Sequence, residues 1–210
     1  MMPSENRSLD LRGWTSVLLL GFASGLPLFL TGSTLKAWMT QEGLDLKTIG
    51  LFSMVTLPYS LKVLWAPLLD RYALPVLGRR RSWMLVMQGA MAVGLAAMAL
   101  HPPHQDLLLM AALAVGVAVA SATFDIATDA WRAEFLPQKL LGLGNSVHIT
   151  TYRVAMLVSG GGALILAQFM GWRSTYLTMA GLTVAGMGGT LLAANTDVVA
   201  RAPRTLAAAV

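Results

Sequence analysis

Long apolar stretches, each closed by a short polar or proline-bearing break, constrain this chain more than any other feature. A helix needs about 20 apolar residues to cross the hydrocarbon of a bilayer. Six stretches approach or exceed that length: residues 14–35, 48–69, 83–100, 107–130, 142–170 and 174–194. The breaks read TQEGLDLK, DRYALPVLGRRR, HPPHQD, WRAEFLPQK and GWR. No stretch alternates apolar and polar residues as a membrane-barrel strand does. The expected fold class is therefore an all-α integral membrane protein with six transmembrane helices. Charged residues make up 12% of the chain, about half the roughly 25% of a soluble domain, so lipid is the expected solvent. The apolar run behind Arg7 and Arg12 extends to Leu35, too long for the core of a secretory signal, and reads as the first span.

The net charge of +5 does not form a basic polar face, so nucleic acid is not an expected partner. The basic residues instead alternate between sides. With both termini inside, the inner side holds Arg7, Arg12, Arg71, Arg79, Arg80, Arg81, Arg132, Lys139, Arg201 and Arg204, and the outer side Lys36, Lys47 and Arg173. Lys and Arg accumulate on the cytoplasmic side, which orients the bundle. There is no cysteine, so neither disulfides nor thiolate metal sites are available. No metal or cofactor is expected.

Four charges fall inside apolar stretches: Lys62, Asp125, Asp129 and Arg153. Intramembrane charges usually face a cavity or one another. At 1.5 Å per residue, Lys62 lies roughly 12 Å and Asp125 roughly 7 Å from the inner ends of their helices, so the two can meet across a cavity. Arg153 lies roughly 16 Å deep, near the midplane. Its planar fork suits an anionic substrate, while a structural ion pair is the competing reading for Arg153 and Lys62 alike. Asp125 and Asp129, four residues apart, share a helical face. Asp125 is the deeper and the better proton carrier. Asp129 lies near the basic loop of Arg71, Arg79, Arg80 and Arg81, where a gate pair is expected. Gly21 and Gly25 have the spacing that lets membrane helices approach closely. Pro27 and Pro58 each free a backbone carbonyl within a span.

The loop after the second stretch, Asp70-Arg71 followed by Gly78-Arg79-Arg80-Arg81, resembles the major facilitator motif G-x-x-x-D-R-x-G-R-R, with Ala66 at the leading glycine and a longer turn. FASGLP with GSTLKAWMT, DLKTIGLFS and LKVLWAPLLDRY resemble the first two helices of the AmpG-type muropeptide permeases. DIATDAW resembles their fourth-helix signature, shared with acetyl-coenzyme A transporters. TYRVAMLVSGG and GWRSTY continue the match. Phe124 stands where glutamine is frequent, and Leu141 where a basic residue is usual. The resemblance implies a proton-driven importer of anhydro-muropeptides in the bacterial inner membrane, serving cell-wall recycling. Carried over by position, Asp125, Asp129, Lys62 and Arg153 fall on its polar cavity residues, with proton coupling expected of Asp125 and Asp129 and substrate binding of Lys62 and Arg153. Asp70, Arg71, Gly78, Arg79 and Arg80 fall on its cytoplasmic gating loop.

That family has two six-helix bundles with the substrate between them. Residues 1–195 correspond to the first bundle and 196–210 to the start of the central loop. The resemblance thus implies an N-terminal half, needing a complementary C-terminal bundle or self-association. The alternatives are a non-transporting remnant, an interaction subunit, or a carrier of another anionic metabolite such as acetyl-coenzyme A. An enzyme is not expected. Gly144-Asn145-Ser146-Val147 beside His148 is similar to the G-x-S-x of rhomboid proteases but lacks a histidine on another deep helix. HPPH offers no helical ligand spacing for a metal.

Overall fold

The computed structural model describes residues 10–72 and 77–196, and every regular element among them is helical. Asp10 starts α1 (Leu11–Thr31) by accepting the Gly13 N–H at 2.9 Å, satisfying one of the open donors of a helix start. Pro27 lies inside α1, and the Thr31 hydroxyl donates to its carbonyl at 2.9 Å. The helix is interrupted at Gly32 and resumes as α2 (Ser33–Gln41).

The second apolar stretch is not one helix. It runs as α3 (Leu46–Leu51), a 3₁₀ segment (Phe52–Thr56), α4 (Leu57–Leu61), a 3₁₀ turn (Lys62–Leu64) and α5 (Ala66–Arg71). Asp45 caps α3, and the Thr48 hydroxyl, donating to it at 2.6 Å, holds its carboxyl below the usual range. Pro58 and Pro67 each occupy the first turn of the α piece they open. A proline there has no N–H to give the preceding turn, so the ladder tightens to 3₁₀ bonding just before it.

Beyond residues 73–76, Gly78 (φ +94°) opens α6 (Arg79–Leu100). Asp106 caps α7 (Leu107–Phe135), accepting Leu109 N–H at 2.9 Å. A 3₁₀ turn (Gln138–Leu140) leads into α8 (Leu141–Leu157), a π turn (Val158–Gly162) and α9 (Ala163–Leu192). The chain breaks helical geometry inside α9 at Gly171, whose φ of +74° a side chain disfavours. Four helical segments among the described residues are long and apolar enough to cross a membrane: Leu11–Gln41, Arg79–Leu100, Leu107–Phe135 and Gln138–Leu192. The sequence led to an expectation of six. The difference lies in the fragmented second stretch and in the 55-residue last segment, which contains the fifth and sixth stretches with Gly171 between them.

α1 is the hub. It packs on α7, α8 and α9, while α6 packs on α7 and α9. The expected close approach at Gly21 and Gly25 is present. A Cβ on Gly21 would collide with Thr151 Oγ1 and stand 2.7 Å from His148 O; one on Gly25 would collide with Tyr152 O and stand 2.9 Å from Ala155 Cβ. At the end remote from Arg79, Trp38 stacks on Trp172 at 5.7 Å, Trp172 Nε1 donates to Gln41, and the Tyr176 hydroxyl donates to Leu30 O at 2.8 Å. These contacts pin α2 and the end of α1 to the second part of α9. Large apolar side chains point outward, with Val93 71%, Leu108 82% and Phe169 81% exposed. Such a surface suits hydrocarbon and not water.

Candidate functional site

Lys62 opens the 3₁₀ turn between α4 and α5, where the proline-broken stretch passes α7. Trp65 Nε1 donates to Thr123 Oγ1 at 3.1 Å, and Thr123 donates in turn to Val119 O, fastening that turn to α7. Lys62 Nζ then stands 3.7 Å from Asp125 Oδ2, with the lysine side chain 33% and the aspartate 12% exposed. The separation makes an ion pair without a hydrogen bond. The depths expected from the sequence are thus realised as a contact. Ser24 reaches the Asp125 carboxylate from α1, and Tyr59 of α4 lies beside Ser121 and Thr31.

Asp129 follows one turn later and is half exposed. It accepts Arg132 Nη2 at 2.8 Å, and Arg132 Nε donates to Asn145 Oδ1 of α8 at 2.8 Å. The partner of Asp129 among the described residues is thus Arg132 of its own helix, where a residue of the basic loop was expected. Glu134 instead meets that loop: Arg80 donates to its Oε1 from Nη2 at 2.8 Å and Nε at 3.1 Å, Arg79 Nη2 lies 3.5 Å away, and Thr196 donates to Oε2 at 2.7 Å. Five residues separate Asp129 from Glu134, about 140° around a helix, so the first faces α8 and the second α6. In the sequence Glu134 is an ordinary charge in a polar break; only its position beside Arg80, whose side chain is 8% exposed, distinguishes it. Arg81 donates to Thr190 O and Leu191 O, capping the end of α9. Arg71 is exposed at the end of α5. The Asp70 side chain and residues 73–76 lie outside the described structure, as do Arg7 and residues 197–210.

Arg153 is exposed on α8 and lines a cavity of about 710 Å³ with Phe29, His148, Tyr152 and Met156. No described residue forms an ion pair or hydrogen bond with it, whereas Lys62 is paired with Asp125. The two cations are not brought together; Tyr152, next to Arg153, lies on the side of α8 toward Asp125. Ser146 Oγ donates to Gly142 O at 3.0 Å and not to His148, which is buried where α8 meets Gly21 of α1. In HPPH, His101 contacts Ala97 O, and His104 Nδ1 lies 2.6 Å from Glu42 Oε2. Among the described residues no group of acidic or histidine side chains is arranged to hold a metal.

The family model described as Acetyl-coenzyme A transporter 1 matches residues 15–109. An anhydromuropeptide permease of Escherichia coli (strain K12) is 49% identical over 195 residues, covering 92% of this chain and 40% of that protein. A putative transporter AmpG 4 of Rickettsia felis is 36% identical over 169 residues, covering 78% of this chain and 41% of that protein. A putative transporter AmpG 1 of Rickettsia conorii is 35% identical over 170 residues. The chain spans about two-fifths of the length of the curated relatives it matches. Relatives named as a permease and transporters, with apolar helices as elements, together make this a membrane protein.

Proposed function

We propose that this chain, a relative of the AmpG-type permeases, forms the N-terminal six-helix bundle of a proton-coupled importer of anhydro-muropeptides. Residues 1–195 make the bundle and 196–210 begin the central loop, in the bacterial inner membrane with both termini cytoplasmic. A complementary C-terminal bundle closes the substrate path opposite α8. The fragmented stretch 46–71 and the two parts of Gln138–Leu192 supply the spans beyond the three continuous ones.

The observation that carries this reading is the Lys62–Asp125 pair, closed across two helical segments without a hydrogen bond. A pair held that loosely can exchange partners. Protonation of Asp125 releases Lys62; loss of the proton draws it back and pulls the α4–α5 turn toward α7. Asp129, on the same face and half exposed, passes the proton between Asp125 and the cytoplasm. Arg153, ion-paired to nothing described and facing the cavity, takes a carboxylate of the peptide part of the substrate. Arg79 and Arg80, with Glu134, clamp the cytoplasmic ends, and Asp70, Arg71 and Gly78 complete that gating loop. Alternating access then rocks this bundle against its partner around the site.

Uptake tests it. Co-expressed with the C-terminal remainder of a relative, in cells lacking their own permease, the chain restores anhydro-muropeptide import driven by an inward proton gradient; expressed alone it does not. Arg153→Ala raises KM by roughly 10–100-fold, the loss of one charge-assisted contact of about 1.5–3 kcal/mol. Asp125→Asn abolishes accumulation yet retains substrate exchange. Normal gradient-driven accumulation by Asp125→Asn refutes the assignment.

A further inference from the structure

Among the described residues, six buried side-chain atoms lack a hydrogen-bond partner, and four of them belong to one neighbourhood: Ser24 Oγ, Tyr59 OH, Ser121 Oγ and Asp125 Oδ1. They come from three elements. Ser24 extends from α1 alongside the Asp125 carboxylate, and Ser121 lies one turn before Asp125 on the same face of α7. Tyr59 arrives from α4 beside Ser121 and Thr31. Ser24 is 1% exposed and Ser121 is wholly buried, so bulk water does not serve them. Buried polar groups in proteins are nearly always hydrogen-bonded, and three orphan hydroxyls around a carboxyl with an orphan oxygen of its own call for a common explanation.

The chemistry of the set supplies it. A carboxylate only accepts hydrogen bonds, whereas a carboxylic acid donates one and accepts others. Guanidinium or ammonium groups around Asp125, which only donate, could not accept from the acid O–H. A hydroxyl donates and accepts, and it changes role by rotating its hydrogen. The charged and titratable groups facing this carboxyl are Lys62 from the 3₁₀ turn, Asp129 from α7 itself, Tyr59 from α4 and Tyr152 from α8. From α1 it meets Ser24, which does not titrate at ordinary pH.

We infer that Ser24, Ser121 and Tyr59 form a hydroxyl shell that holds Asp125 in either protonation state, making them positioning residues of the proton site. With Asp125 ionised, Lys62 takes Oδ2 and the Ser24 hydroxyl turns to donate to Oδ1. With Asp125 protonated, Lys62 departs, the acid O–H donates to Ser121 or Tyr59, and Ser24 continues to donate to the carbonyl oxygen. One proton is bound and no bond between heavy atoms changes. The shell needs no side-chain rearrangement between the two states, which lets the Lys62 contact be the only large change on protonation. This rests on the proposed role of Asp125 as proton carrier.

The test is infrared difference spectroscopy across a pH titration of the purified 210-residue chain in lipid nanodiscs. The carbonyl band of protonated Asp125 is identified by its disappearance in Asp125→Asn. Ser24→Ala, Ser121→Ala and Tyr59→Phe each shift that band upward in frequency, because the acid loses a partner, and Ser121→Thr restores its position. Each variant that moves the band assigns its hydroxyl to the shell. A band present in the wild type and unmoved by all three substitutions overturns the shell while leaving Asp125 as a proton site. No Asp125 band at any pH where the chain stays folded overturns both.

Discussion

Replacing Lys62 by methionine keeps the length of the side chain and removes its charge from beside Asp125. Two unit charges 3.7 Å apart attract by about 4.5 kcal/mol at an effective dielectric constant of 20. Lys62 is 33% exposed, so solvent screens the pair and the realised coupling falls to about 1–2 kcal/mol. The single variants should be unequal. Asp125→Asn leaves a lysine that can swing its ammonium to water, at a cost of about 1 kcal/mol. Lys62→Met strands a carboxylate whose side chain is 12% exposed and whose Oδ1 is already unbonded, at a cost of about 2–3 kcal/mol. The double variant closes a cycle that isolates the pair. Unfolding of the four proteins by SDS in mixed micelles at neutral pH, followed by circular dichroism, measures it. Coupling below about 0.3 kcal/mol is indistinguishable from additivity; it would show that the contact carries no energy. A larger loss in Asp125→Asn than in Lys62→Met would refute the reasoning from exposure.

Glu134→Ala removes the acceptor of two Arg80 donors and of Thr196, and should destabilise by about 2–3 kcal/mol in the same assay, while Asp129→Ala, facing solvent, costs under about 1 kcal/mol. Gly25→Ala drives a methyl into Tyr152 O and Ala155, and overpacking of the α1–α8 seam should cost about 1–3 kcal/mol. Gly161→Ala is its control: nothing lies within 4 Å of the added carbon, and stability should hardly change. The chain contains no cysteine, so Gln105→Cys and Lys139→Cys, both at exposed positions, can report topology with an impermeant thiol reagent. In intact cells Gln105→Cys should label and Lys139→Cys should not; the reverse pattern inverts the proposed orientation.

Much of the site was legible before any coordinates. Counting helical rise placed Lys62 and Asp125 at depths that differ by less than the reach of a lysine, and the two do touch. The Gly21–Gly25 spacing announced a close helix contact, and α8 supplies it. Asp129 pairs with Arg132 and not with the basic loop because that loop, its neighbour in depth, lies on the other side of α7. Glu134 was missed because depth is a one-dimensional coordinate and its partner is chosen by rotation. The hydroxyls of Ser24, Tyr59 and Ser121 were invisible for the same reason, since serine and tyrosine are common in membrane helices and mean nothing until they converge.

By itself the sequence determined the class of fold and the solvent. These follow from local physics: a backbone in hydrocarbon must close its own hydrogen bonds, so apolar length dictates helix. Tertiary structure decided which faces meet. Ser24 and Asp125 are a hundred residues apart, and Arg80 and Glu134 more than fifty. Their pairing depends on the azimuth at which each helix docks, which is set by small residues and interlocking side chains on partners distant in the chain.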